Sequence, residues 1–462
     1  MRRLKLLLGC SCERIEKQSE QYRLAQELWH DQIMGILPNL LALLTYAHAF
    51  HNPLSWSESN PDALKLVNRV LMDRFWQAGI STGSKDEFLK RISSTKSTVE
   101  GLASSLRSVI RNIRDYCYSA LVSLSKIDPA FYQIFGLAEA LATALFTDAR
   151  HLSTHQMSLL LSTSFGIIGE CPLESRDAFL GPMIKALLKF VDEKVSTEWD
   201  RIALRKTHRT EGESLTDEMR EESILRQFTY AAIMIVANIL DPEPHKTLPK
   251  SQASSSKTPP ANAPRVRDFV LSSPPLIELI LQFAAHCILV PDTRSCNTIL
   301  RVLHSITIHF TLPNDPVHSA VREFLSENIL KACITAYNDP YFVDCQRDLS
   351  MLIMAIYRYY GDLTPTPRNI FASLPGVAGA RQERMERRMT QSHSDKVWRA
   401  AVVECLAGLK GVSISEMGRL TGSEVLDKRK DEKKVLKEKD EERRREAARL
   451  RTIETQAEID EL

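Results

Sequence analysis

The sequence predicts an all-α protein built from stacked helix pairs, and three observations predict it. Apolar residues recur at i, i+3, i+4 and i+7 in segment after segment. Glycine and proline are few, 17 and 21 in 462 residues, and strand-like apolar alternation is scarce. Paired segments start at a nearly constant interval.

The elements follow in order. Helices are predicted over 15–33 and 36–50, with Pro38 near the start of the second, then over 61–79, 98–126, 128–148 and 153–168. Longer ones cover 173–206 and 215–240. After a break come 268–289, 292–310, 314–337, 340–361 and 394–409, then a charged helix from about 413 onward. "FYQIFGLAEALATALFTD" (131–148) typifies them. Phe131, Ile134, Phe135, Ala138, Leu141 and Leu145 share one predicted helix face, and the stretch holds no nucleophile or histidine. Boundaries carry local signals. "KIDPAF" and "PNDPVHS" put Asp and Pro where a helix begins, "STHQ" at Ser153–Gln156 reads as a capping box, and "YNDPYF" turns one helix into the next.

Pair starts at 128 and 173 lie 45 residues apart, and those at 268 and 314 lie 46 apart. Both intervals match HEAT and armadillo repeats. One amphipathic pair cannot bury its apolar face alone, so stacked neighbours build a continuous core. The predicted fold is an all-α, HEAT-like helical-repeat solenoid, an α-α superhelix. Its organisation reads as an atypical N-terminus (1–14), helical repeats (15–240), a linker (241–267), further repeats (268–412) and a charged C-terminal helix (413–462). The linker, "DPEPHKTLPKSQASSSKTPPANAPRVR", lacks apolar periodicity and is expected to be disordered. A second polar insert spans 205–222. The tail stretch "KRKDEKKVLKEKDEERRRE" has ten basic and seven acidic residues. Its i, i+4 pairs, such as Asp440–Arg444, suit a solvated helix, and its basic runs suit nuclear import or RNA contact.

Composition bounds the function. The formal charge is +2, from 60 basic and 58 acidic residues, which argues against a surface wholly devoted to nucleic acid. The nine cysteines are scattered through apolar patterns, so a reducing compartment is expected. The opening "MRRLKLLLGCSCERIEK" is too short in its apolar part for a signal peptide, and no run reaches a membrane span's length of uninterrupted apolar residues.

Motifs for chemistry are missing. His151 and His155, and His48 and His51, have helical ligand spacing but no third partner, and read as solvent-facing helix ends. Cys10 and Cys12 have no second pair nearby. "GECPLES" around Cys171 fits a helix start better than an activated thiol. No catalytic residue, metal site or cofactor is assigned. The most distinctive stretch is 171–209. Here a proline-led helix is expected to break at Gly181-Pro182 and resume through Trp199 to a basic cluster of Arg201, Arg205, Lys206, His208 and Arg209. Pro172, Pro182 and Trp199 read as structural anchors. Arg201, Arg205, Lys206 and Arg209 are candidates for contact with RNA or acidic cargo, since clustered charge raises the local field.

The stretch beginning "FYQIFGLAEALATALF" and sharpest at Cys171-Pro172, Glu174, Leu180, Pro182, Leu187 and Trp199 resembles the C-terminal region of the exportin-5 branch of the importin-β (karyopherin-β) family. The likeness continues through "PDTRSCNTILRVL" (291–303) and "DLSMLIMAIYRYYGDLTPTPRNIFASLPGV" (348–377) to "SDKVWRAAVVECLAGLKG" (394–411), with an earlier echo in "ILPNLLALL" (36–44). The resemblance implies a nuclear export receptor shuttling between nucleus and cytoplasm. Such receptors bind cargo with Ran-GTP, pass nucleoporin repeats and insert in no membrane. Cargo in this branch is structured RNA, such as pre-microRNA and tRNA, or protein. The family's main Ran surface lies in N-terminal repeats, so a truncated, C-terminal fragment is expected. Read without the resemblance, the same residues also suit a helical-repeat scaffold or an RNA-binding accessory protein.

Overall fold

A computed structural model describes residues 2–12, 19–56, 64, 65, 67, 99–207, 215–240, 266–313, 315–377, 379–392 and 394–409. The linker at 241–265 and the tail from 410 lie outside them, as does the helix predicted over 61–79 except for three residues.

The described residues form an all-α architecture. Its helices are α1 (Arg2–Cys12), α2 (Glu20–Ala49), α3 (Val99–Ile127), α4 (Leu137–Phe146), α5 (Ser158–Gly169), α6 (Gly181–Thr207), α7 (Leu215–Leu240) and α8 (Val266–Leu271). They continue as α9 (Pro274–Ile288), α10 (Thr293–His309), α11 (Pro316–Phe324), α12 (Leu330–Asn338), α13 (Gln346–Tyr360), α14 (Thr366–Ser373), α15 (Ala380–Gln391) and α16 (Asp395–Leu406). They fall into two compact units, Met1–Ser196 with Ser223–His286, and Thr197–Glu222 with Cys287–Leu462. Within each, helix packs on helix, as a HEAT-like stack requires.

In the first unit α3 is the hub, packed against α1, α2 and α5. The α2 stripe Trp29, Ile33, Leu37, Leu40 and Leu44 is buried. That stripe carries the helix through Pro38, so 20–49 is one helix, not the two predicted. A mid-helix proline costs about 3 kcal/mol, which burial of several large apolar side chains at about 2 kcal/mol each offsets. Ser19 caps α2 through the Tyr22 N–H at 3.2 Å.

The stretch 131–148 departs from expectation. Residues 129–133 form a 3₁₀ turn capped by Asp128, whose carboxylate accepts from the Ala130 N–H at 2.9 Å. Gly136 then takes a left-handed φ of 71°, and α4 begins only at Leu137. Phe131 is fully buried, packed with Tyr132 and Phe179 at centroid distances of 5.2 and 6.3 Å, whereas Phe135 is fully exposed. The Tyr132 hydroxyl donates to the Ile167 carbonyl at 2.7 Å. Ser153 makes no side-chain cap, contrary to the capping-box reading; the Gln156 N–H bonds its main-chain carbonyl at 2.9 Å instead. Within α7, Glu221–Leu240 is long and apolar enough to cross a membrane by length and composition, yet Leu225, Phe228, Ile233 and Val236 are buried in protein.

In the second unit α13 is central, packed against α10, α12 and α16. The Asp-Pro starts hold. Asp315 caps α11 through the Val317 N–H at 2.8 Å, and Asp339 caps the turn at Pro340–Cys345 through the Tyr341 N–H at 2.8 Å. Two tyrosines tie elements together, the buried Tyr360 to the Thr307 carbonyl at 2.9 Å and the half-buried Tyr341 to the Pro291 carbonyl at 2.7 Å. Helices α14 and α15, unassigned by the sequence reading, fill 366–391. The seven cysteines whose side chains are described, Cys117, Cys171, Cys287, Cys296, Cys333, Cys345 and Cys405, are free and buried.

Candidate interaction surface

The end of α6 carries the predicted basic cluster. Burial of Trp199, 4% exposed, turns one side of this helix inward. Arg201 lies half-buried one half-turn on. Its Nε pairs with Glu198 at 2.8 Å, and its Nη2 reaches Glu221 at 3.2 Å. Burial alone would lower the guanidinium pKa; the two carboxylates outweigh it and raise the value. Arg201 therefore latches the end of α6 to the start of α7, and part of its charge is answered within the protein. Arg205 and Lys206 lie in the last turn of α6, where a helix favours cations. Arg209 and His208 lie outside the described residues.

Of the three anchors, Pro172 and Pro182 sit in the first unit and Trp199 in the second. Pro172 precedes a 3₁₀ turn at Leu173–Ser175, and the Ser175 N–H bonds its carbonyl at 3.2 Å. Pro182 is the second residue of α6, where its missing N–H is tolerated. No break occurs at Gly181-Pro182. A π-helical turn, Arg176–Leu180, runs straight into α6. Cys171 is buried, and burial pushes its thiol pKa up to about 12 against the nearby Arg176, the opposite of a reactive thiol.

The histidine pairs part company with expectation. His48 is fully buried, not solvent-facing. Its Nδ1–H donates to the Ala144 carbonyl at 3.0 Å, so its Nε2 accepts from the Tyr118 hydroxyl at 2.6 Å. It joins α2, α3 and α4 as a neutral core residue. His151 is half-buried, and burial lowers its pKa, aided by Arg150. Among the described residues no three His, Cys, Asp or Glu side chains could hold a metal.

A second basic feature escaped the sequence reading. Arg381, Arg384 and Arg388 lie at i, i+3 and i+7 of α15 and line a cavity of about 180 Å³ against α16. The stretch reads as charged throughout; the signal for a packed helix is only the i, i+4 pair Met385 and Met389, both buried.

A sequence model of the exportin-5 family matches residues 10–420. An uncharacterised protein of Schizosaccharomyces pombe is 30% identical over 365 residues, covering 76% of this chain and 29% of the relative. Protein MSN5 of Saccharomyces cerevisiae is 22% identical over 444 residues, 92% of this chain and 35% of the relative. Exportin-5 of Dictyostelium discoideum is 19% identical over 386 residues, 83% of this chain and 31% of the relative. The chain thus spans about a third of the length of these relatives. No solved structure gives a significant match.

Proposed function

The chain belongs to the exportin-5 family, and from that membership we propose that it forms part of a nuclear export receptor. The observation that carries the reading is the family match across 10–420, which spans both compact units. The receptor binds cargo, structured RNA such as pre-microRNA and tRNA or a protein, together with Ran-GTP. It passes nucleoporins and shuttles between nucleus and cytoplasm. It acts by binding, not catalysis.

The physical rationale is that of helical repeats. A HEAT-like stack offers a long surface and changes curvature by small shifts per repeat. Two ligands that favour the same curvature bind cooperatively. RNA duplexes are read through shape and phosphates, so basic groups such as Arg205, Lys206 and Arg209 suit that role. The test is RNA binding at fixed salt with Ran loaded with GTP and then GDP. Nucleotide-dependent coupling supports the receptor; partners indifferent to the nucleotide point to a scaffold, and salt-sensitive RNA binding without Ran to an accessory protein.

A further inference from the structure

We propose that the first unit binds one monovalent anion of halide size, chloride in the cell, at the guanidinium of Arg114, where α2 and α3 meet the 3₁₀ turn at Asp148–His151. Arg114 is 3% exposed, and its Nε and Nη1 donate to no acceptor among the described residues. The carboxylate beside it, Asp115, stands 3.5 Å from Nε, is itself about a third exposed, and leaves Nη1 unanswered. A guanidinium held out of water without hydrogen bonds is costly. An anion on Nη1 removes that cost.

Packing brings two further donors to the same place. The Tyr22 hydroxyl donates to the Lys126 carbonyl at 3.3 Å, and the Tyr118 hydroxyl to His48 Nε2 at 2.6 Å, so α2 and α3 run antiparallel. Arg114 lies one turn before Tyr118, and His51 about one turn after His48, so these two meet at the next level of the helix pair. Asn52 donates to the Asp148 carboxylate at 3.1 Å, which sets the turn carrying His151 beside them. The His51 and His151 side chains are half-buried, and among the described residues neither ring makes a hydrogen bond. Burial first, and then Arg114, push the His51 pKa down to about 3, and burial lowers that of His151. Each ring is therefore neutral and offers one N–H.

Charge selects the ligand. Lys194 donates to the Arg150 carbonyl at 2.8 Å, which brings two more cations to the turn. Arg114, Arg150 and Lys194 against Asp115 and Asp148 leave one positive charge, which a monovalent anion balances. Sulfate or a phosphate monoester would set a second negative charge against the two aspartates. The convergent groups are N–H donors, and a halide is an acceptor only. Burial of Nη1 favours a free ion over a carboxylate carried on a chain.

The experiment is ³⁵Cl NMR on the full chain, without GTPase or RNA, so that its failure leaves the export reading untouched. Protein-dependent broadening of the chloride line is expected, reversed by bromide but not by sulfate or gluconate at the same ionic strength. Arg114→Met abolishes the broadening. His51→Leu, which removes one N–H to a charged acceptor, weakens chloride binding about tenfold or more. At ten times the dissociation constant, chloride should slow hydrogen exchange of α2 and α3 peptides about tenfold in the unmodified chain. The same chloride should leave Arg114→Met unchanged. If Arg114→Met does not fold, His51→Leu and the ion series decide the matter. Absence of broadening overturns the proposal. So does broadening that bromide fails to reverse, that sulfate reverses, or that His51→Leu leaves as it was.

Discussion

Acid should loosen the first unit through His48. Protonating this residue requires a charge in the core beside Arg114, with Nε2 already accepting from Tyr118. Burial first, and Arg114 second, push its pKa down to about 3 from an ordinary 6.5. The unfolded chain therefore binds a proton below about pH 6.5 that the folded chain refuses. Stability linked to this group is complete above the unfolded pKa and is lost as pH falls toward the folded value. Between pH 7 and pH 5 the loss is about 2 kcal/mol, or roughly 30-fold in the opening equilibrium. Burial and then Arg114 also push the His51 pKa down to about 3, so the factor for His48 is read as the difference between wild type and His48→Leu in hydrogen exchange of peptides from α2 and α3, corrected for intrinsic rates. His48→Leu lowers stability at every pH, because Tyr118 and the Ala144 carbonyl lose their partner, but removes this part of the pH slope. An imidazole signal of His48 titrating near pH 6.5 in the folded protein would refute the reasoning, as would unchanged protection at pH 5.

Three further predictions follow from named contacts. Phe131→Ala empties the site shared with Tyr132 and Phe179 and should cost about 3–5 kcal/mol, read by chemical denaturation; Phe135→Ala, at the exposed position, should cost almost nothing. His30, 2.7 Å from Asp128, has a raised pKa, first from that hydrogen bond and then from the carboxylate charge. Its contribution is present below the unfolded value of about 6.5 and fades as pH rises through the folded one; an NMR titration should place its midpoint above that value, and Asp128→Asn should bring it back. For RNA binding, Arg205→Gln and Arg209→Gln should each reduce the salt slope by about one. Arg201→Gln should change it less, because Glu198 and Glu221 already hold that guanidinium. Equal effects of the three would contradict the latch.

What was legible in the sequence was local. Asp128, Asp315 and Asp339 cap the elements they precede because a carboxylate and the adjoining main-chain N–H groups settle the geometry within three residues. Tertiary packing decided the rest. Pro38 reads as a boundary, yet the buried stripe from Trp29 to Leu44 holds one helix through it. The 131–148 pattern reads as one face, but Gly136 turns the chain and Phe135 leaves the core. Helix α15 hides because only two methionines mark its buried side. The basic cluster was visible as composition, but the pairing of Arg201 depends on Glu221, twenty residues on and across an insert.

The most direct test of the receptor reading is RNA affinity measured with Ran-GTP and again with Ran-GDP, at one salt concentration. It should be made on this chain and on any longer reading frame that contains it. A coupling free energy of about 1–3 kcal/mol in favour of the GTP form, in either protein, is the predicted result. Identical RNA affinity with both nucleotides, in both proteins, would contradict it.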